Sequence, residues 1–374
     1  MSPHGEFRRE VPPQPSASKF DLRYPANGDS EVAALYLREI YLGQDVQPKI
    51  DDFKKVPIAQ READKRKERE LELEFRRRSM GSEGGGTEEG GVLEQFLIKE
   101  MSRNDWFGGE TFRTTKFDDY HGIDTVLEWD AADRFGRYPR LLVDYTTSQL
   151  PERVAQKQQK LIRGGNVVYY RSPFEMDDEG EERELSLHSL PVVILGIDKG
   201  LMPKIAGMAK AHEKPRTMQN GRMVRNISPQ TFRDHPLQVL LLEQAIAQVD
   251  VQVRAAAGQL VNLERTIGNR DAANTLDALR FRLGNGRMTP EVIMKMLTEI
   301  EPALRMYQER NKGNMAVMSN VIAVSRWENL AAVYQMLTEK MAEVQANKNA
   351  DQLMAARAWK QISPTHKLLT KVAA

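Results

Sequence analysis

Two aspartates carry the clearest chemistry in this sequence. Asp124 opens the apolar run of HGIDTVLEW, and Asp144 lies inside that of LLVDYTTS. Both runs read as β-strands, and residues two apart on a strand share a face, so Asp144 and Thr146 point one way and Tyr145 the other. If the two strands are hairpin neighbours, the carboxylates stand side by side. That is a hard-oxygen arrangement suited to Mg²⁺, which takes one or two carboxylates and keeps its waters. An acid embedded after Leu141-Leu142-Val143 costs several kcal/mol to bury uncompensated, so Asp144 should meet a cation or a hydrogen-bond donor. Glu94, in VLEQFLIKEMS, offers a third acid from a preceding helix, although its ordinary role would be a solvated surface residue. His121 stands close to Asp124 in a loop, where a histidine usually binds nothing.

The elements that must position these groups follow from hydrophobic spacing. Val92 to Ser102 reads as a short amphipathic helix with Glu94 and Glu100 off its apolar stripe. Strands are expected over Phe112–Phe117, Ile123–Trp129 and Arg140–Tyr145. Pro151 begins a helix to about Arg163, ended by Gly164 and Gly165. Val167–Tyr170 and Pro191–Ile197 read as further strands around an exposed acidic insertion, MDDEGEERE. The order is therefore α-β-β-β-α-β with an additional strand, an α/β domain over residues 92–211.

With an acid in its first helix, Asp at the start of its second strand and Asp-x-Thr in its third, this stretch resembles the PD-(D/E)XK nuclease superfamily. The resemblance covers roughly Val92 to Ile197 and implies a restriction-endonuclease-like mixed sheet. It also implies that Asp124, Asp144 and Glu94 hold divalent ions that polarise a phosphodiester and activate water. Thr146 stands where the family has a lysine, and it supplies neither the charge nor the reach. Some members of such a fold recruit the lysine from the following helix, where Lys157 and Lys160 are available. At 100° per residue Lys157 flanks the buried stripe and Lys160 lies well away from it, so Lys157 is the expected replacement. Gln149 is a further polar group within reach.

Around this domain the composition changes. Residues 1–53 are turn-rich and poor in large apolar side chains, as expected of a disordered arm. Residues 54–80 form a charged, solvated helix, and 81–91 a glycine-rich tether. Residues 212–235 read as a basic linker whose Lys214, Arg216, Arg222 and Arg225 could contact phosphates. Residues 236–374 form an all-helical module. Its first helix carries Val239, Leu242, Ile246, Val249, Val253, Ala256, Leu260, Leu263 and Ile267 in unbroken steps of three and four, a coiled-coil-like seam that wants a helical partner. The 236–267 helix is thus expected to pair with a second copy or another protein. Methionines are dense in the later helices, where core filling is their usual role.

Other classes lack support. With 54 Lys+Arg against 53 Asp+Glu the chain is formally +1, so nucleic-acid affinity must come from local patches. No cysteine is present, which removes thiol chemistry. Walker A, GxSxG, HExxH and GxGxxG patterns are missing. No run of roughly 18 apolar residues exists, and the first residues lack the apolar core of a secretory signal, so no membrane association and a cytoplasmic location are expected. The sequence reads as a nucleic-acid-associated protein with a nuclease-like, Mg²⁺-dependent or catalytically degenerate domain, binding DNA or RNA. The alternative is a non-catalytic scaffold acting through its helical module.

Overall fold

The computed structural model of the protein describes residues 30–41, 47–81, 88–131, 138–147, 151–219, 222–284 and 288–371. In chain order it comprises α1 (Ser30–Tyr41), α2 (Ile58–Gly81), α3 (Glu88–Arg103), β1 (Glu110–Arg113), α4 (Lys116–Tyr120), β2 (Thr125–Glu128) and β3 (Arg140–Thr146). Then follow α5 (Pro151–Arg163), β4 (Gly165–Met176), β5 (Glu182–Leu190), β6 (Val192–Gly196), α6 (Met202–Ala211), β7 (Glu213–Gln219) and β8 (Arg222–Ile227). The remainder is helical: α7 (Leu237–Leu260), α8 (Arg270–Gly284), α9 (Pro290–Glu299), α10 (Glu301–Arg310), α11 (Met318–Asn347), α12 (Ala350–Ile362) and α13 (Pro364–Thr370). The chain is thus a small mixed sheet with an extensive helical part. Among the described residues no helix is long and apolar enough to cross a membrane.

The sheet runs β1-β2-β3-β6, antiparallel except for the parallel β3–β6 pair. Its pleat separates two cores. Leu127, Leu141, Val143, Tyr145, Val193 and Leu195 join the large core shared with α3 and the C-terminal helices. Val126, Leu142, Val192 and Ile194 pack instead with Val154 of α5, Val167 and Tyr170 of β4, and Leu369 of α13.

Several expectations are corrected. The strand expected over Phe112–Phe117 ends at Arg113, because Thr115 caps α4 by accepting from the Asp118 N–H. Val167–Tyr170 is not the strand that joins the sheet. It belongs to the long β4, which pairs with β5 as a separate antiparallel ribbon with the acidic run at its turn. β4 packs Val167 and Tyr170 against the sheet and buries Tyr169 in a separate small cluster with Ile50, Phe53 and Phe117. The fourth sheet strand is the wholly buried β6, whose continuous apolar VVILG fits a parallel position. Gly164, at φ +77°, ends α5 in the left-handed conformation that glycine adopts without steric cost.

Part of the expected arm is ordered. In α1 the spacing of Ala33, Leu37, Ile40 and Tyr41 makes a buried stripe against α3 and α6, and the Tyr41 hydroxyl donates to Glu100 at 2.8 Å. Glu100, expected off the buried face, is itself buried by this contact. Residues 1–29 and 82–87 lie outside the described residues, while 88–91 of the expected tether belong to α3. The expected basic linker contains the β7–β8 hairpin, which packs against α1.

The seam of α7 has its partner within the chain. Val239, Leu242, Val249, Val253, Ala256 and Leu260 are all buried against α11, β6 and the surrounding helices, so the expected pairing of the 236–267 helix with a second copy or another protein has no free apolar face to use. The regular helix ends at Leu260, and a 3₁₀ turn carries Val261–Leu263.

A second row on α7 is polar. Gln244, Gln248 and Gln252 are fully buried, and each accepts from the N–H and donates to the C=O of one β6 residue. Gln252 holds Val192 at 3.3 and 2.8 Å, Gln248 holds Ile194 at 2.8 Å in both directions, and Gln244 holds Gly196 at 3.0 Å in both. Four residues of helix rise about 6.0 Å and two of parallel strand about 6.6 Å, so the rows stay nearly in step. Replacing Gln248 by Leu would strand the Ile194 N–H and C=O. We expect a loss of about 2–6 kcal/mol of unfolding free energy in urea denaturation.

Candidate active site

The pleat sets Asp144 on the same face as Leu142, the face covered by α5. β2 and β3 pair with Thr125 opposite Val143, so Asp124, just before β2, arrives beside the Asp144-Tyr145 end of β3. The contact is direct: the Tyr145 N–H donates to Asp124 Oδ2 at 2.5 Å. Asp124 and Asp144 are both buried. From α5, Lys157 donates its ammonium to Asp144 Oδ1 and, at 2.8 Å, to the Tyr145 carbonyl. One third of the Lys157 side chain is exposed, giving this end of the sheet contact with solvent.

Glu94 comes from α3, whose Val92, Leu93, Phe96 and Leu97 are buried in the core and so fix the turn that carries it. Its Oε1 lies 3.4 Å from Arg113 Nη2 of β1. Asp119, which sequence reasoning passed over, is the fourth acid. Its Oδ2 accepts from Gln47 Nε2 at 3.3 Å and lies 3.9 Å from Arg113. The available signal was Thr115-x-x-Asp118, an N-terminal capping pattern that makes KFDDY a short helix and turns Asp119 away from its neighbour.

Four carboxylates thus meet two cations, Arg113 and Lys157. Burial first, then the surrounding charges of Glu94, Asp144 and Asp119, push the Asp124 carboxyl well above the usual range. Asp119 is raised by burial, and Glu94 is raised to about 7 by burial and the Asp119 charge. Burial opposes the Lys157 ammonium, but Asp144, Asp124 and Glu94 outweigh it and raise its pKa. Lys157 is accordingly a fixed positive charge, not a base at neutral pH. An all-oxygen donor set with a surplus of negative charge suits a hard divalent cation. The oxygens of Glu94, Asp124 and Asp144 do not, however, close to within 4.8 Å of one another as a set. Among the described residues the acids that do so are Asp177, Glu179 and Glu181 in the β4–β5 turn, where Asp177 is paired with Lys55.

The remaining expected residues fall elsewhere. His121 Nδ1 meets the Phe117 carbonyl at 2.7 Å and its ring packs on Phe117, a local structural use. Lys214 is exposed on β7, whereas the side chains of Arg216, Arg222 and Arg225 lie outside the described residues, as do Gln149 and the Lys160 side chain. Asp118, beside Asp119, serves the fold by accepting from the Val168 and Tyr169 N–H groups at 2.8 and 3.3 Å.

The raised Glu94 pKa makes a pH prediction. The folded state keeps this proton up to about pH 7, whereas the unfolded chain releases it near ~4.3. Between those values the native state binds more protons, so Glu94 lowers stability as pH rises through the window. Glu94→Gln should narrow the Tm difference between pH 5 and pH 8, chiefly by raising Tm at pH 8. Calorimetry of both proteins measures it.

No protein-family model matches this chain, and comparisons with curated proteins and with solved structures return no match, so the functional reading rests on the residues themselves.

Proposed function

We propose that the protein is a nucleic-acid-associated, Mg²⁺-dependent phosphodiester hydrolase of PD-(D/E)XK type, with Asp124, Asp144 and Glu94 as the cation-binding acids and Lys157 as the relocated motif lysine. The observation that carries this reading is the contact of Lys157, reaching from α5, with the buried Asp144, beside Asp124 and within the influence of the Glu94 charge. The α-β-β-β-α-β order of α3, β1, β2, β3, α5 and β6 supports it, with the β4–β5 ribbon as an insertion.

In this reading the divalent ion, when bound, polarises the phosphate and makes its water more acidic. The protein's own contribution is positional. Asp124 and Asp144 supply hard oxygen donors, and Asp124 is oriented by the Tyr145 N–H. Lys157, kept protonated by its acidic neighbours, stabilises negative charge that develops beside it. Arg113 holds Glu94 and Asp119 in place. Lys214, Arg216, Arg222 and Arg225 on the β7–β8 hairpin are assigned to phosphate contacts that position the strand without reading its sequence.

A scaffold with an inactive site is the second reading. It is favoured by the same Lys157–Asp144 contact, which compensates the buried acid without a metal. Thermal shift in Mn²⁺ separates the two. The hydrolase should gain about 2.7 kcal/mol at a hundredfold excess over Kd, and Asp144→Asn should abolish the gain. Lys157→Ala should keep metal binding yet lose cleavage of DNA and RNA substrates. No shift at millimolar metal would leave the scaffold, and cleavage that survives Asp144→Asn would come from another protein.

A further inference from the structure

A lysine covered by protein is costly, because desolvation disfavours its charged form unless an acid offsets it. Two lysines of this chain meet that cost with carboxylates. Lys157 contacts Asp144, and Lys340, with 11 % of its side chain exposed, has Asp105 at 3.0 Å and Glu343 at 3.2 Å. Lys348 does not. It follows α11 directly, where a lysine ordinarily stays solvated and complements the helix dipole. Instead only 8 % of the residue is exposed, and among the described residues its ammonium has neither an ion pair nor a hydrogen bond.

The groups around it do not favour a charge. Burial lowers the Lys348 pKa to about 8, and the one charge acting the other way is Asp234, in the exposed turn before α7. The amine therefore faces that turn while its aliphatic stem is covered. The adjoining His235 is neutral, held at a pKa of about 3 by burial and by the Lys348 charge. Trp359 of α12 packs edge-on against His235 at 5.1 Å, and its buried indole N–H has no acceptor among the described residues. Near pH 8 about half of such a lysine is free amine, against under ~1 % of an ordinary one. A desolvated, neutral lysine is a nucleophile.

We propose that Lys348 is a modification site whose side-chain amine takes an acyl group from a small activated donor of the acyl-phosphate class. The amine lone pair attacks the carbonyl carbon, a C–N bond forms, the C–O bond to phosphate breaks, inorganic phosphate leaves and the amine proton passes to solvent. The resulting amide is uncharged at every pH, which suits a site without a counter-ion. Its carbonyl oxygen also brings an acceptor to the neighbourhood of His235 and the Trp359 N–H. Lys348 belongs to other elements than those that carry the carboxylate cluster, and its reactivity is independent of the phosphodiester reading.

Treating the full chain with acetyl phosphate and mapping its peptides by mass spectrometry at early times tests this with no variant that must fold. At pH 8 Lys348 should be acetylated roughly tenfold faster than the exposed Lys54 and Lys312. Its rate should level off above about pH 8, while theirs keeps rising toward ~10.4, the ordinary lysine value. In Lys348→Arg, charged at every pH, the fast phase should vanish. The chain carrying one acetyl group on Lys348 should melt above the unmodified chain at pH 7, because a buried charge without a partner has been removed. Lys348 reacting no faster than Lys54, a rate that climbs in parallel with the exposed lysines, a fast phase that survives Lys348→Arg, or an acetylated chain that melts lower would each overturn the assignment.

Discussion

The outer edge of β6 is the constraint on which this fold turns. A strand buried on both faces and covered along its edge by helices has N–H and C=O groups that water cannot reach, and each one left unpaired costs about 1–3 kcal/mol. Another strand would ordinarily close such an edge. Here Gln244, Gln248 and Gln252 do so, each returning a donor and an acceptor to one β6 residue. The match fixes α7 in register with the strand, not merely against it. Once α7 is so placed, its apolar seam faces α11, and the helical part is built outward from the sheet. Asn329 of α11 repeats the device at β3, bonding the Arg140 N–H and C=O at 3.0 and 2.7 Å.

The C-terminal helices return to the sheet by a related route. Asp198, after β6, accepts from the Thr365 N–H at 3.1 Å and its hydroxyl at 2.7 Å, anchoring the start of α13. Leu369 then completes the core on the α5 face. Gln158 of α5 donates to the Leu368 carbonyl at 3.2 Å, so the helix that delivers Lys157 is braced by the last helix of the chain. The candidate site and the helical part are therefore parts of one packing problem.

The two ends of the β2–β3 pair show opposite electrostatic solutions. At one end the buried Glu128 stands opposite Arg140 and accepts from its Nε at 2.6 Å, from the Tyr170 hydroxyl and from Ser172 at 3.0 Å, a closed network. At the other end Asp124, Asp144, Glu94 and Asp119 outnumber Arg113 and Lys157, and burial pushes three of those acids upward. A closed network stabilises a fold. A surplus of like charge costs stability and is what a site for a cation or a reacting group requires.

How much of this was legible in the sequence follows from the range of each interaction. Local patterns determined α5 from Pro151 to Arg163, the charged α2, the apolar strands at Asp124 and Asp144, and the 100°-per-residue argument that puts Lys157 nearer the buried stripe than Lys160. Such features depend on neighbours a few residues apart, which period and capping record. Tertiary structure alone decided what covers the α7 seam, because an apolar stripe has the same spacing whether its partner is α11 or another chain. It also decided that β6, not Val167–Tyr170, pairs with β3, and that Asp119, Arg113 and Gln47 join the acids. Those contacts link residues far apart in sequence, and no local spacing encodes which distant group supplies the missing charge or the missing hydrogen bond.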